Sequence, residues 1–253
     1  TVHAGYDVMF CDDPSFVGVA LQCGPDGAVY LTDWYDVRHC HSPNAEQWDR
    51  SNGRLYRMKY DASYEPAVVD YWSASDDELV AALEHANDWH VRMARLVMAE
   101  RAAAGELSNG ALNALRRIKQ MHPDPSRRVR ALWALFSCGE RDIEELINPL
   151  DAHELVRSWQ IRLAAEAVEQ GAAGKDEFGR WLQAQAQIES SLIVRKHHVL
   201  ASHALSSDAA WPVLRVLASM PEHATDRDLP SLLWFAVGER MSQGNNDLLR
   251  GIA

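Results

Sequence analysis

The chain has 253 residues, 47% hydrophobic and 24% charged, which suits a globular protein of one or two domains with a substantial core. Its net charge of −11 argues against broad binding to nucleic acid or anionic membranes, because both need a positive surface that displaces counterions. No apolar run reaches the roughly 18 residues of a membrane span, and no signal peptide is visible.

The first ~72 residues predict β structure. Phe16–Leu21 is a short apolar run, and Gly24-Pro25-Asp26-Gly27 is a turn signal: proline presets the first central position and glycine accepts positive φ. Ala28–Thr32 predicts a second strand. Gly53–Tyr60 predicts a third, with Leu55, Arg57 and Lys59 alternating against Tyr56, Met58 and Tyr60. Val68–Trp72 is a candidate fourth. Three or four short antiparallel strands leave open edges, as in one blade cut from a β-propeller.

From Ser73 onward the period becomes helical, which divides the chain into 1–72 (propeller-type blade) and 73–253 (helical repeats). Ser75-Asp76-Asp77-Glu78 opens a helix with an acidic first turn. A β-branched residue followed by Arg recurs at Val91-Arg92, Val129-Arg130, Ile161-Arg162 and Val194-Arg195, at spacings of 32 to 38 residues. Asp88, Ser126, Ser158 and Ser191 precede these pairs as expected N-caps. Apolar faces follow, with Leu132, Trp133 and Phe136 in one unit and Ala164, Ala165 and Val168 in the next. A fifth unit is expected from Ser207-Asp208 through Met220, with a last helix opening at Leu229-Pro230. The expected fold is therefore mainly α: a HEAT-like α-solenoid preceded by a small antiparallel β segment. Trp89, Trp133, Trp159, Trp211 and Trp234 are expected in its core, and His197-His198 as structural histidines. A chain that begins in mid-pattern at Thr1 and lacks an evident capping repeat at Ala253 is expected to be a fragment of something larger.

The segment Asp33-Trp34-Tyr35-Asp36-Val37-Arg38-His39-Cys40-His41, followed by Asp49, gathers metal-binding residue types: Asp33, Asp36, His39, Cys40, His41 and Asp49. His39 and His41 could share a face on a strand but not on a helix. No second cluster at zinc spacing completes the set. The competing and favoured reading is a long loop pinned by hydrogen bonds, with Trp34 and Trp48 packed beneath it. Of the four cysteines, Cys11, Cys23 and Cys40 lie close enough in sequence to allow a bridge. Cys138 is expected to be a small core residue beside Gly139. No Gly-rich phosphate loop, nucleophile elbow or HExxH occurs.

The runs GPDGAVYLTDWYDVRHCH and WDRSNGRLYRM, with HANDWHVRMARLVMAER and DLPSLLWFAV, resemble the planctomycete-type family of large secreted proteins labelled membrane-bound dehydrogenases. The resemblance covers essentially the whole chain. It implies a terminal propeller blade followed by HEAT-like repeats and an exported, periplasmic or otherwise extracytoplasmic protein. The parent would be an oxidoreductase of sugar-dehydrogenase type, using pyrroloquinoline quinone and passing electrons to haem c. The chain has neither a full propeller nor a CxxCH, so no catalytic or cofactor-binding residue transfers to it and no cofactor is expected within it. Two functions are expected: a structural connector joining the remaining domains of such a parent chain, or a non-catalytic scaffold that binds a protein partner.

Overall fold

The computed structural model describes residues 5, 9–36 and 51–242. The chain is mainly helical, 58%, with a three-stranded antiparallel sheet ahead of ten helices. It divides into two compact units, Thr1–Ala74 with His85–Met93, and Ser75–Glu84 with Ala94–Ala253.

In the first unit, β1 (Gly18–Cys23), β2 (Val29–Asp33) and β3 (Arg54–Met58) pair antiparallel in the order β1-β2-β3. The β1–β2 turn forms where Gly24-Pro25-Asp26-Gly27 predicts it, with Gly27 N–H donating to the Gly24 carbonyl and Gly27 at φ 74°. A Cβ on Gly24 would lie 2.4 Å from the Tyr30 ring, so only glycine fits there. Leu31 lies opposite both Leu21 and Tyr56 and is buried, while all of β1 is exposed. The candidate fourth strand, Val68–Trp72, is not one. Asp70 instead accepts hydrogen bonds from Trp72 N–H at 3.0 Å and Ser73 Oγ at 2.8 Å, a local turn that competes with a ladder.

The second unit is built by caps and apolar faces. Ser75 caps α1 (Asp76–Ala82) in a full capping box with Glu78, as the sequence predicts. Helix α2 (Asp88–Ala104) has its start in the first unit and its residues from Ala94 in the second; α3 (Asn109–Met121), α4 (Pro125–Ser137), α5 (Ile143–Ile147), α6 (Glu154–Glu169), α7 (Lys175–Ile188), α8 (Leu192–Ala201), α9 (Ser207–Ala218) and α10 (Leu229–Ser242) follow. Adjacent helices pair, α3 with α4 and α5 with α6. Alternate helices also stack: α4 on α6, α6 on α8, α8 on α10, and α7 on α9. Between these layers Leu132, Ile161, Phe178, Leu182, Val194, Leu214 and Leu217 are almost fully buried. Each such side chain contributes about 1.5–3 kcal/mol. The predicted faces Leu132/Phe136 and Ala164/Ala165/Val168 are all in this core.

Three of the four expected caps are not caps. Asp88 is the first helical residue of α2; Ser126 lies inside α4, capped instead by Asp124; and Ser158 is buried in mid-helix with its hydroxyl on the Leu155 carbonyl. Ser191 does cap α8, accepting from Val194 N–H. Trp211 is in the core and Trp133 and Trp159 pack against it half-buried, but Trp234 is 73% exposed.

Candidate functional site

Of the six predicted metal ligands, His39, Cys40, His41 and Asp49 lie outside the described residues, as does Trp48. Asp33 and Asp36 are both buried. Asp33 Oδ1 accepts from Val17 N–H at 2.8 Å and Tyr35 N–H at 2.9 Å, and its other oxygen faces the Tyr56 hydroxyl at 3.5 Å. That carboxylate ties the end of β2 to the residue just before β1 and holds Tyr35 at φ 54°, a left-handed conformation rare outside glycine. These bonds give Asp33 a structural role at the end of β2. Trp34, expected beneath that loop, is 56% exposed. Among the described residues no three His, Cys, Asp or Glu side chains converge on a metal position. Cys11, Cys23 and Cys138 are free thiols. Cys138 ends α4, and burial pushes its thiol up to about 11, which leaves it protonated and inert.

No local sequence pattern signals a second cluster in the first unit. His90 is buried, with Nε2 3.0 Å from the Pro25 carbonyl and Nδ1 2.8 Å from the Tyr71 hydroxyl. Those partners assign the proton to Nε2, which donates to Pro25, so that Nδ1 accepts from Tyr71. The His85 ring lies 3.9 Å from that of His90, and Asn87 donates to the Gly24 carbonyl at 2.7 Å. Burial holds His90 below the usual histidine range. Every polar atom of this imidazole is occupied, so it clasps the β1–β2 turn rather than serving as a free base.

In the second unit the most regular feature is electrostatic. Arg128 makes two hydrogen bonds to Asp151, through Nε at 2.8 Å and Nη2 at 3.0 Å, while Nη1 reaches the His122 carbonyl at 2.7 Å. Arg157 repeats the arrangement with Glu189, at 2.7 and 3.1 Å, and with the Asp151 and Ala152 carbonyls. Arg195 reaches Glu222 at 2.8 Å and the Glu189 carbonyl at 2.7 Å. Each arginine is the fourth residue of its helix, α4, α6 or α8. Each grips the loop before its own helix and the acid ahead of the next even-numbered helix. Two of the acids also brace the cap residue of the next even-numbered helix: Asp151 accepts from His153 N–H and Glu189 from Ser191 N–H. Burial alone would raise the Glu189 carboxyl, but hydrogen bonds from Arg157 and Ser191 hold it below its usual range.

The arginines that link these helices therefore differ, Arg195 apart, from the β-branched–arginine pairs that the sequence singles out. Arg195 belongs to this series, whereas Arg130 donates to the Leu83 carbonyl and Arg162 lies over the Trp159 ring. The signal that would have found the series is an arginine in a helix's first turn with a carboxylate before the next even helix.

A cleft of about 370 Å³ lies beside this ladder, lined by Lys119, Arg128, Leu150, Asp151 and Gln160 among others. Its polar groups are largely committed. Gln160 bonds the Leu146 and Pro149 carbonyls and Asp151 N–H, and Lys119 donates to the Glu145 carbonyl. Burial lowers the Lys119 ammonium. A groove of about 400 Å³ along β1, lined by Phe16, Val19, Leu21, Leu31 and Met58 among others, is apolar. No helix of the described residues is long and apolar enough to cross a membrane. The polar side chains described above are committed to bonds that hold elements of each unit together. Comparison with protein-family models, with curated proteins and with solved structures finds no match to this chain.

Proposed function

We propose that the helical unit is a HEAT-like α-solenoid acting as a non-catalytic scaffold that binds a protein partner. The observation that carries this reading is the repeated arginine–carboxylate link between successive even-numbered helices, laid over the stacking of α4 on α6, α6 on α8 and α8 on α10. A solenoid transmits stability mainly between neighbouring repeats. Truncating Leu214 in α9, which is fully buried, should therefore speed hydrogen exchange in α7 to α10 and leave α3 and α4 protected. Uniform acceleration across the unit would show a single cooperative globule and remove the solenoid.

A second reading follows the sequence resemblance: the chain connects domains of an exported oxidoreductase, with the sheet as a terminal propeller blade. What favours it is the order of elements, three short antiparallel strands with a Gly-Pro-Asp-Gly turn, then paired helices. Pyrroloquinoline quinone and haem c would then be held by other parts of the parent, since the sequence has no CxxCH. The flanking reading frame tests it: further propeller blades upstream and a CxxCH downstream support the connector, and their absence removes it.

A further inference from the structure

Within the second unit, successive even-numbered helices carry a connected strip of rings and guanidinium groups. The Arg95 guanidinium lies 5.5 Å from the centre of the Trp133 ring, Trp133 meets Trp159 edge-on at 4.7 Å, and Arg162 lies 4.7 Å from the centre of the Trp159 ring. His197 of α8 comes next, close enough for the Arg162 charge to act on it. Leu155 on α6 and Ile193 and Leu200 on α8 sit one turn from Trp159 and His197, and are 38%, 48% and 46% exposed. These aliphatic side chains lie on the outside of a unit whose other large apolar residues are mostly buried.

The charge of the strip is one-sided. Arg101, Arg116, Arg128, Arg157 and Arg195 are each paired with a carboxylate. Arg162 is exposed and has no carboxylate partner among the described residues; Glu166, one turn on, accepts from Gln170 instead. A guanidinium stacked on an indole keeps its N–H edge free for a carboxylate and is already ordered, so little entropy is lost when it binds one. The chain's net charge of −11 opposes an acidic partner at long range, where salt screens it, but at contact this stacked arginine beside exposed aliphatics attracts a carboxylate and repels a basic group.

We propose that this strip binds an acidic amphipathic peptide segment of a partner protein, with aliphatic side chains against Leu155, Ile193 and Leu200 and a carboxylate on Arg162. The proposal rests on the scaffold reading. The test uses the full chain and a fluorescein-labelled helical peptide with leucines on one face and glutamates on the other; the control peptide has lysines in place of the glutamates. The glutamate peptide should bind saturably and weaken with salt. Arg162→Glu should weaken it about ten-fold or more, with Arg162→Lys intermediate, at an unchanged urea midpoint. Hydrogen exchange should show protection on α6 and α8. No saturable binding, equal binding of the lysine peptide, an unchanged affinity in Arg162→Glu, or protection elsewhere would each overturn the strip. The scaffold stands or falls separately, on the Leu214→Ala exchange pattern.

Discussion

The two units hold themselves together in opposite ways. The helical unit buries a continuous core from Leu132 to Ala236 and adds arginine–carboxylate links whose members are mostly shielded, at 17% and 9% exposure for Arg157 and Glu189. In the sheet unit β1 is wholly exposed, and cohesion comes from polar side chains: Asp33 on two backbone N–H groups, Asp26 between the Tyr30 and Tyr64 hydroxyls, and His90 between Pro25 and Tyr71. Apolar burial is additive and tolerant of detail, whereas a polar clasp depends on each partner. The first unit should thus be sensitive to single hydrogen bonds and the second to lost volume.

The largest contrast comes from truncation. Phe178→Ala, at a fully buried site, should cost the helical unit about 3–5 kcal/mol in urea unfolding followed by helical circular dichroism. Leu21→Ala, on the exposed strand, should change stability by less than about 0.5 kcal/mol. Comparable losses would erase the distinction.

Acid should strike the helical unit next. His198 is fully buried, its Nδ1–H donates to the Val194 carbonyl, and burial pushes it down to about 4. A base with a depressed folded pKa is protonated first in the unfolded chain. Its contribution is complete above the ordinary histidine value of 6.5 and lost as pH falls from there toward about 4, by about 3 kcal/mol at most. Urea midpoints across that window should slope for the wild type and flatten in His198→Gln. An unchanged slope in the variant would assign the acid sensitivity to other groups.

A smaller effect is expected at the clasp. Tyr71→Phe removes the hydroxyl on His90 Nδ1 and should cost about 1 kcal/mol, confined to the sheet unit. The His90 ring resonance should report it, titrating closer to the ordinary range as the site opens. Equal loss of helical protection would show that the hydroxyl matters beyond its own unit.

What could be read from the sequence follows the same division. Periodic burial is written locally, so the change at Ser73, the Ser75–Glu78 capping box, the Gly24–Gly27 turn and the apolar faces of α4 and α6 were all legible. The ladder was not, because its partners are 23, 32 and 27 residues apart and the recurring β-branched–arginine pair pointed to a register set by resemblance of type rather than of contact. Trp234 is expected in the core because tryptophan usually is buried, although its helix leaves that face open. Asp33 looked like a ligand from its neighbours in sequence. Its true partners are Val17 N–H, just before β1, and the Tyr56 hydroxyl on β3. The His90 clasp combines residues from the turn, the segment before α1 and the start of α2, which no local pattern joins.

Coupling between successive even-numbered helices runs through their arginine–carboxylate links. A double-mutant cycle on Arg157 and Glu189 tests it most directly, with Arg157→Met, Glu189→Gln and the double variant unfolded in urea. Each single variant should lose about 2 kcal/mol, because it leaves a shielded charge without its partner, and the double variant should lose less than the sum by about 1 kcal/mol or more. Additive losses, with a coupling below about 0.3 kcal/mol, would contradict the ladder as a source of cohesion between these helices.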